Sequence, residues 1–275
     1  MNTWVELDGA RVYAEEVGDG PTTIVVPPAW GVSHEFYQAL LGELGLPLRL
    51  IYFDPEGTGA SGRLPTGWNS GRILDEVEAV RSQAGGGQSV LLLGHAGGAF
   101  LSLAYALDHP HNVAGLILVS PFAGYRRTDE MSGPRLESHP QWSSFQQRVR
   151  EIKRVEMTPA EQFRAIFKEQ RVVDMFDYGP HYFQMADAAD EADFNPAMHE
   201  DTETDLLDEL PAIEAPVLIV TGEDDPLSPL EECRLIAGEL PYVRLIELPR
   251  CGHYPFVEAP EAFTKAVEDF LADLD

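Results

Sequence analysis

Between Val90 and Pro110 the chain reads VLLLGHAGGAFLSLAYALDHP. Four apolar residues, Val90–Leu93, run straight into the turn Gly94-His95-Ala96-Gly97-Gly98, and a helical pattern follows with no linker. A turn this sharp brings the chain close to itself, so its flanking positions are small or glycine. Few architectures join a strand to a helix this way. The feature points to a sheet whose strands hand over directly to helices at their C-terminal ends.

The rest of the chain fits that architecture. Short apolar runs recur at Thr23–Val26, Arg49–Phe53, Ala114–Val119, Val217–Val220 and Val243–Leu248. Several are almost continuously hydrophobic, as parallel strands covered on both faces must be. Helical patterns lie between them at His34–Leu41, Ser70–Ser82, Ala99–Leu107, Leu230–Leu240 and Glu261–Leu274. Ahead of them, Trp4–Leu7 and Arg11–Glu16 flank Asp8-Gly9, a hairpin signal. Alternating strands and helices predict an α/β fold with a mostly parallel, doubly wound sheet. The alternation stops between about Pro121 and Leu210, where helix signals replace strands. Thr158-Pro159-Ala160-Glu161 is a capping box with proline at the first helical position. The expected organisation is a core of residues 1–123 and 209–275, with a helical lid, 124–208, inserted between strands six and seven.

Composition narrows the function classes. A hydrophobic fraction of 44% supports a sizeable core in 275 residues. A net charge of −27 argues against nucleic acid and anionic membranes as partners. No 18-residue apolar run and no secretory leader pattern is present. Two cysteines, Cys233 and Cys251, make no disulfide framework, so a cytoplasmic setting is expected. Charge is uneven: residues 126–171 hold ten of the nineteen basic residues, whereas 172–233 hold eighteen acidic residues and no Lys or Arg. That acidic stretch is either a solvated face or a source of negative potential near a pocket.

The turn at 94–98 has the spacing of a nucleophile elbow, G-x-S-x-G, with Ala96 where serine is expected. Acyl transfer by serine also needs an acid, a base and an anion site. The acid is expected after the strand in VLIVTGEDDPLSP: Asp225 lies three residues beyond Gly222, with Asp224 as the alternative. The base is His253, in the loop of IELPRCGHYP. One oxyanion N–H is assigned to Gly97. The other comes from the loop Pro27-Pro28-Ala29-Trp30-Gly31, where proline has no N–H, leaving Ala29 ahead of Trp30. Trp30 is equally a candidate for the pocket wall. The eight histidines lack ligand spacing, and no glycine loop has a dinucleotide pattern, so neither metal nor cofactor is expected.

These residues, in the order nucleophile, acid, histidine, resemble the α/β-hydrolase superfamily along essentially the whole chain. Within it the chain is similar to the proline iminopeptidases (prolyl aminopeptidases). Ser33, His34, Glu35 and Phe36 match their first helix start, and Asp54 with Gly57, Gly59 and Ser61 matches their next loop. Their HGG stands here as Pro27-Pro28-Ala29, and their Gln-Arg as Pro55-Glu56. The resemblance implies a serine hydrolase acting on a small molecule or short peptide, present here in an inactive Ser-to-Ala form. It also implies lid carboxylates that hold a substrate ammonium group, with Glu200 and Glu203 as candidates. An esterase or lactonase on the same site is the alternative, with Phe183, Met185, Phe194 and Met198 as a candidate apolar lid face. A non-catalytic binding protein on this fold is the third reading.

Overall fold

The structure, a computed structural model, describes residues 1–62, 69–198 and 203–274. One sheet of eight strands organises them: β1 (Asn2–Leu7), β2 (Ala10–Val17), β3 (Thr22–Val26), β4 (Arg49–Phe53), β5 (Val90–His95), β6 (Val113–Val119), β7 (Val217–Gly222) and β8 (Val243–Leu248). Their spatial order is β1-β2-β4-β3-β5-β6-β7-β8. The hairpin β1–β2 and the pairing β2–β4 are antiparallel, and all other pairs are parallel. All eight strands expected from the apolar runs are present.

Among the described residues ten α-helices connect and cover the strands: α1 (Glu35–Leu41), α2 (Arg72–Gln83), α3 (Gly97–Asp108), α4 (Tyr125–Ser138), α5 (Trp142–Ile152), α6 (Pro159–Asp174), α7 (Tyr182–Glu191), α8 (Leu230–Glu239), α9 (Pro255–Glu258) and α10 (Pro260–Leu274). Ile73 and Val77 of α2, Leu103 of α3 and Ile236 of α8 share one core with sheet residues such as Leu92 and Leu116. Phe36 and Leu40 of α1 and Phe263 and Val267 of α10 share a second core with Leu91, Ile117 and Leu218. Neighbouring residues of the central strands thus face opposite cores, which is why β5, β6 and β7 have no polar face. Among the described residues no helix is long and apolar enough to cross a membrane.

The chain leaves β3 toward β4 on one side and returns to β5 on the other. A crevice therefore opens beyond the C-terminal ends of β3 and β5, where open α/β sheets bind ligands. The turns after β3, β5, β7 and β8 all lie at that end. Helices α4–α7 run in the chain between β6 and β7. The segment after α7 is pinned to the loop after β3. Ser33 N donates to Asp193 O at 3.0 Å, Asp193 N to Ser33 Oγ at 2.8 Å, and Asn195 N to Gly31 O at 2.8 Å.

Candidate active site

The elbow is tight for reasons visible in its glycines. A Cβ on Gly94 would meet Gly98 O at 2.3 Å, and one on Gly98 would meet Val26 O at 2.2 Å. Helix α3 starts at Gly97, two residues earlier than its apolar pattern shows, because the elbow itself forms the first turn. Between the two glycines Ala96 adopts φ 50° and ψ −113°, outside the regions open to L-residues. Such a conformation costs about 1–3 kcal/mol and persists only where the surroundings impose it. Ala96 N donates to Val119 O at 3.0 Å, which anchors the turn on β6. The half-buried methyl of Ala96 faces the crevice. Gly97, as first residue of α3, carries an N–H with no intrahelical partner. Ala29 is buried in the loop after β3.

The residues expected as acid and base, Asp225 and His253, form a fixed pair. His253 Nδ1 lies 2.9 Å from Asp225 Oδ2 and 3.1 Å from Oδ1. Asp225 is fully buried, and its Oδ1 accepts from Leu227 N at 2.8 Å and Ser228 N at 3.0 Å, so its carboxylate cannot rotate freely. Asp224 is exposed, and its N–H donates to Cys251 O. With Nδ1 directed at Asp225, the Nε2 edge of His253 is left for the crevice. The loop that carries His253 stacks closely on its neighbours. A Cβ on Gly222 would meet Cys251 O at 2.1 Å, and one on Gly252 would meet Asp174 O at 2.6 Å. His253 N donates to Asp174 O at 2.8 Å, so the end of α6 holds the histidine backbone directly. Glu258 clamps the same loop by accepting from Gly252 N at 3.0 Å, Tyr254 N at 3.0 Å and Phe176 N at 2.7 Å.

His95, inside the elbow, was not singled out by the motif, which leaves that position open. Its Nε2 bonds to His253 O at 2.8 Å and its Nδ1 to Tyr37 Oη at 3.2 Å. A carbonyl only accepts, so Nε2 carries the proton and Nδ1 accepts from the tyrosine hydroxyl. Burial lowers its pKa well below the usual histidine value. His95 is therefore a neutral strut beneath His253.

A cavity of about 280 Å³ joins these parts. Its lining includes Ala96, His95 and His253, with Trp30, Tyr37, Leu227 and Tyr254 from the core. Helix α6 supplies Phe163, Phe167, Gln170 and Arg171. Trp30 packs against Phe163 and Phe167 at ring-centroid distances of 5.9 and 5.4 Å. The cavity lining contains no carboxylate among the described residues. Glu203 is exposed and lies outside this lining, and Glu200 lies outside the described residues. Of the four candidate lid apolars, Phe183 is exposed, while Met185, Phe194 and Met198 are buried in packing outside the lining. The wall is made instead by the phenylalanines of α6.

The structure also gathers His34, Glu35 and Asp54, whose ligand atoms lie within 4.8 Å of one another although their spacing shows no metal pattern. Asp54 Oδ1 accepts from His34 N and faces His34 Nδ1, both at 2.8 Å, while Oδ2 accepts from Ala60 N at 2.7 Å. Both oxygens are thus engaged in tying the start of α1 to the loop after β4, which makes the cluster a structural junction.

Fold and site together define a class. Residues 22–260 match the model of the alpha/beta hydrolase fold family, and the chain belongs to that family. A pimeloyl-[acyl-carrier protein] methyl ester esterase of Yersinia enterocolitica is 26% identical over 265 residues, covering 94% of this chain and 97% of that one. A proline iminopeptidase of Pestalotiopsis fici is 26% identical over 292 residues, covering 98% and 99%. Among solved structures, an alpha/beta fold family hydrolase from Bacillus anthracis superposes with a TM-score of 0.81 at 16% identity, covering 98% and 99%, a likeness of fold alone.

Proposed function

We propose that the site is that of a serine-type carboxylic ester hydrolase in which position 96 keeps the nucleophile's place without its oxygen. The observation that carries this reading is the strained Ala96 in one cavity with the buried Asp225–His253 pair. In an Ala96→Ser variant the introduced Oγ attacks the ester carbonyl carbon while His253 Nε2 takes its proton. Gly97 N–H and Ala29 N–H stabilise the oxyanion. The carbonyl re-forms, and the alcohol leaves with the proton from His253. Water, deprotonated by the same nitrogen, then attacks the acyl-enzyme and releases the acid. Asp225 holds the ring and its cationic form throughout. With Ala96 in place no acyl-enzyme forms, and the cavity binds ligands without turning them over.

The ester reading rests on the wall of the cavity. It is aromatic and contains an arginine, whereas an aminopeptidase site needs carboxylates for the substrate's ammonium group. Kinship with a proline iminopeptidase favours the peptidase, and an esterase is equally among the relatives. The discriminating experiment assays the Ala96→Ser variant on short p-nitrophenyl esters and on proline arylamides. Hydrolysis of the esters supports the reading. Turnover of the arylamides alone moves the assignment to the peptidase, and inertness toward both favours a binding protein.

A further inference from the structure

Arg171 is the least explained side chain of the cavity. Its guanidinium is almost fully buried, with Cζ 3.9 Å from the Phe167 ring centroid and 4.8 Å from that of Tyr254. Its Nη2 lies 2.6 Å from Asp174 Oδ2, an ion pair without hydrogen-bond alignment. Nε and Nη1 are buried and donate to nothing among the described residues. Leaving donors of a charged group buried without a hydrogen-bond partner is costly, so Nε and Nη1 call for a partner from outside the chain. The cation also stands out against its chain, which has 46 acidic and 19 basic residues.

We propose that Arg171 recognises a carboxylate carried by the substrate, so that the cavity takes the half-ester of a small dicarboxylic acid. This specifies the substrate of the ester site proposed above and rests on that reading. Guanidinium is the side chain best matched to carboxylate oxygens, and a desolvated, ring-flanked position strengthens the contact. The cavity's volume of about 280 Å³, at the small end for ligand pockets, suits a small substrate. The half-ester's neutral carbonyl lies at Ala96 and His253, and its free carboxylate lies on the α6 wall. An ammonium-bearing ester of the same size meets a cation there and is disfavoured.

The Ala96 protein is itself the reagent for the test, because it binds without turnover. Calorimetric titration at pH 7.5 and 0.15 M salt compares monomethyl succinate with dimethyl succinate, methyl β-alaninate and 3-phosphonopropionate methyl ester. The half-ester should bind roughly 10- to 100-fold more tightly than the diester, the range of a charge-assisted hydrogen bond. Arg171→Gln should abolish that difference, and Arg171→Lys should retain part of it. Because Arg171→Gln leaves Asp174 unpaired, the double variant Arg171→Met with Asp174→Asn provides the same test in a fold with no buried charge at the pair. Equal affinity for half-ester and diester, or a preference unchanged in both the Gln and double variants, overturns the proposal. Preference for the phosphonate over the carboxylate overturns the carboxylate assignment. Arg171-dependent half-ester binding together with an inert Ala96→Ser variant would overturn the hydrolase reading and leave the recognition site standing.

Discussion

If the backbone at position 96 is strained to present a side chain, replacing Ala96 with glycine should cost the fold little or nothing. Glycine adopts φ 50°, ψ −113° with no Cβ clash, so the substitution relieves about 1–3 kcal/mol of strain. Two losses oppose it: about 0.5–1 kcal/mol from the freer unfolded chain and up to about 0.8 kcal/mol from the partly buried methyl. Ala99→Gly supplies the control. Ala99 is fully buried in the ordinary helix α3, three residues on, and loses the same two terms with no strain to relieve. The difference between the variants therefore isolates the strain. Ala96→Gly should match or slightly exceed the parent in stability, and Ala99→Gly should lose about 1.5–2 kcal/mol. For a chain of this length 1 kcal/mol shifts Tm by about 2 °C, so the two variants should differ by several degrees in a thermal melt. If Ala96→Gly is as damaging as Ala99→Gly, the elbow is unstrained and the reasoning fails.

Other perturbations have equally definite outcomes. In the Ala96→Ser background, His253→Ala should remove nearly all the activity, Asp225→Asn should cost on the order of 10⁴-fold in kcat, and Asp224→Asn should be mild. A larger loss at Asp224 than at Asp225 would contradict the geometry. Glu76 is buried with Oε2 unpartnered, and burial pushes its pKa up to about 8. A raised folded-state pKa means that its stabilising contribution is full below about 4.5 and is lost as pH rises toward 8. Glu76→Gln, which still accepts from Glu56 N, should therefore gain on the parent by on the order of 3–4 kcal/mol between pH 5 and pH 8. Parallel denaturation curves with a constant gap between parent and variant would refute it. His95→Phe in the Ala96→Ser background should lower kcat, because His95 supports the carbonyl of His253 from beneath. An effect confined to KM would show that it contacts substrate instead.

The sheet was legible because the central parallel strands β5, β6 and β7 are buried and appear as nearly unbroken apolar runs, whereas the edge strand β8 is only partly buried and carries Arg244 and Glu247. The pairing of Asp225 with His253 was legible because glycines mark the close approaches around it: Gly222 beneath Cys251 and Gly252 beneath Asp174. The choice between Asp224 and Asp225 needed coordinates, since both follow the same strand and only the turn closed by Leu227 N and Ser228 N aims one inward. The cavity wall was partly encoded and not extracted. The capping box at Thr158 begins α6, and Phe163, Phe167 and Arg171 follow at spacings of four, one face of a helix. Projecting that helix would have placed an arginine among aromatics, where composition suggested acidic residues. His95 and Tyr37 carry no comparable signal: the elbow motif leaves one position free, and Tyr37 reaches the site only through the packing of α1.

The central claim, that position 96 is a nucleophile's place served by His253 and Asp225, is tested most directly by covalent labelling of the Ala96→Ser variant. A small fluorophosphonate reacts with an activated serine whatever the natural acyl group. Intact-mass measurement and peptide mapping should show one adduct, on residue 96, formed rapidly in Ala96→Ser and lost when His253→Ala is added. The Ala96 protein should remain unlabelled. No adduct in a folded Ala96→Ser variant, or labelling that is indifferent to His253, would contradict the account.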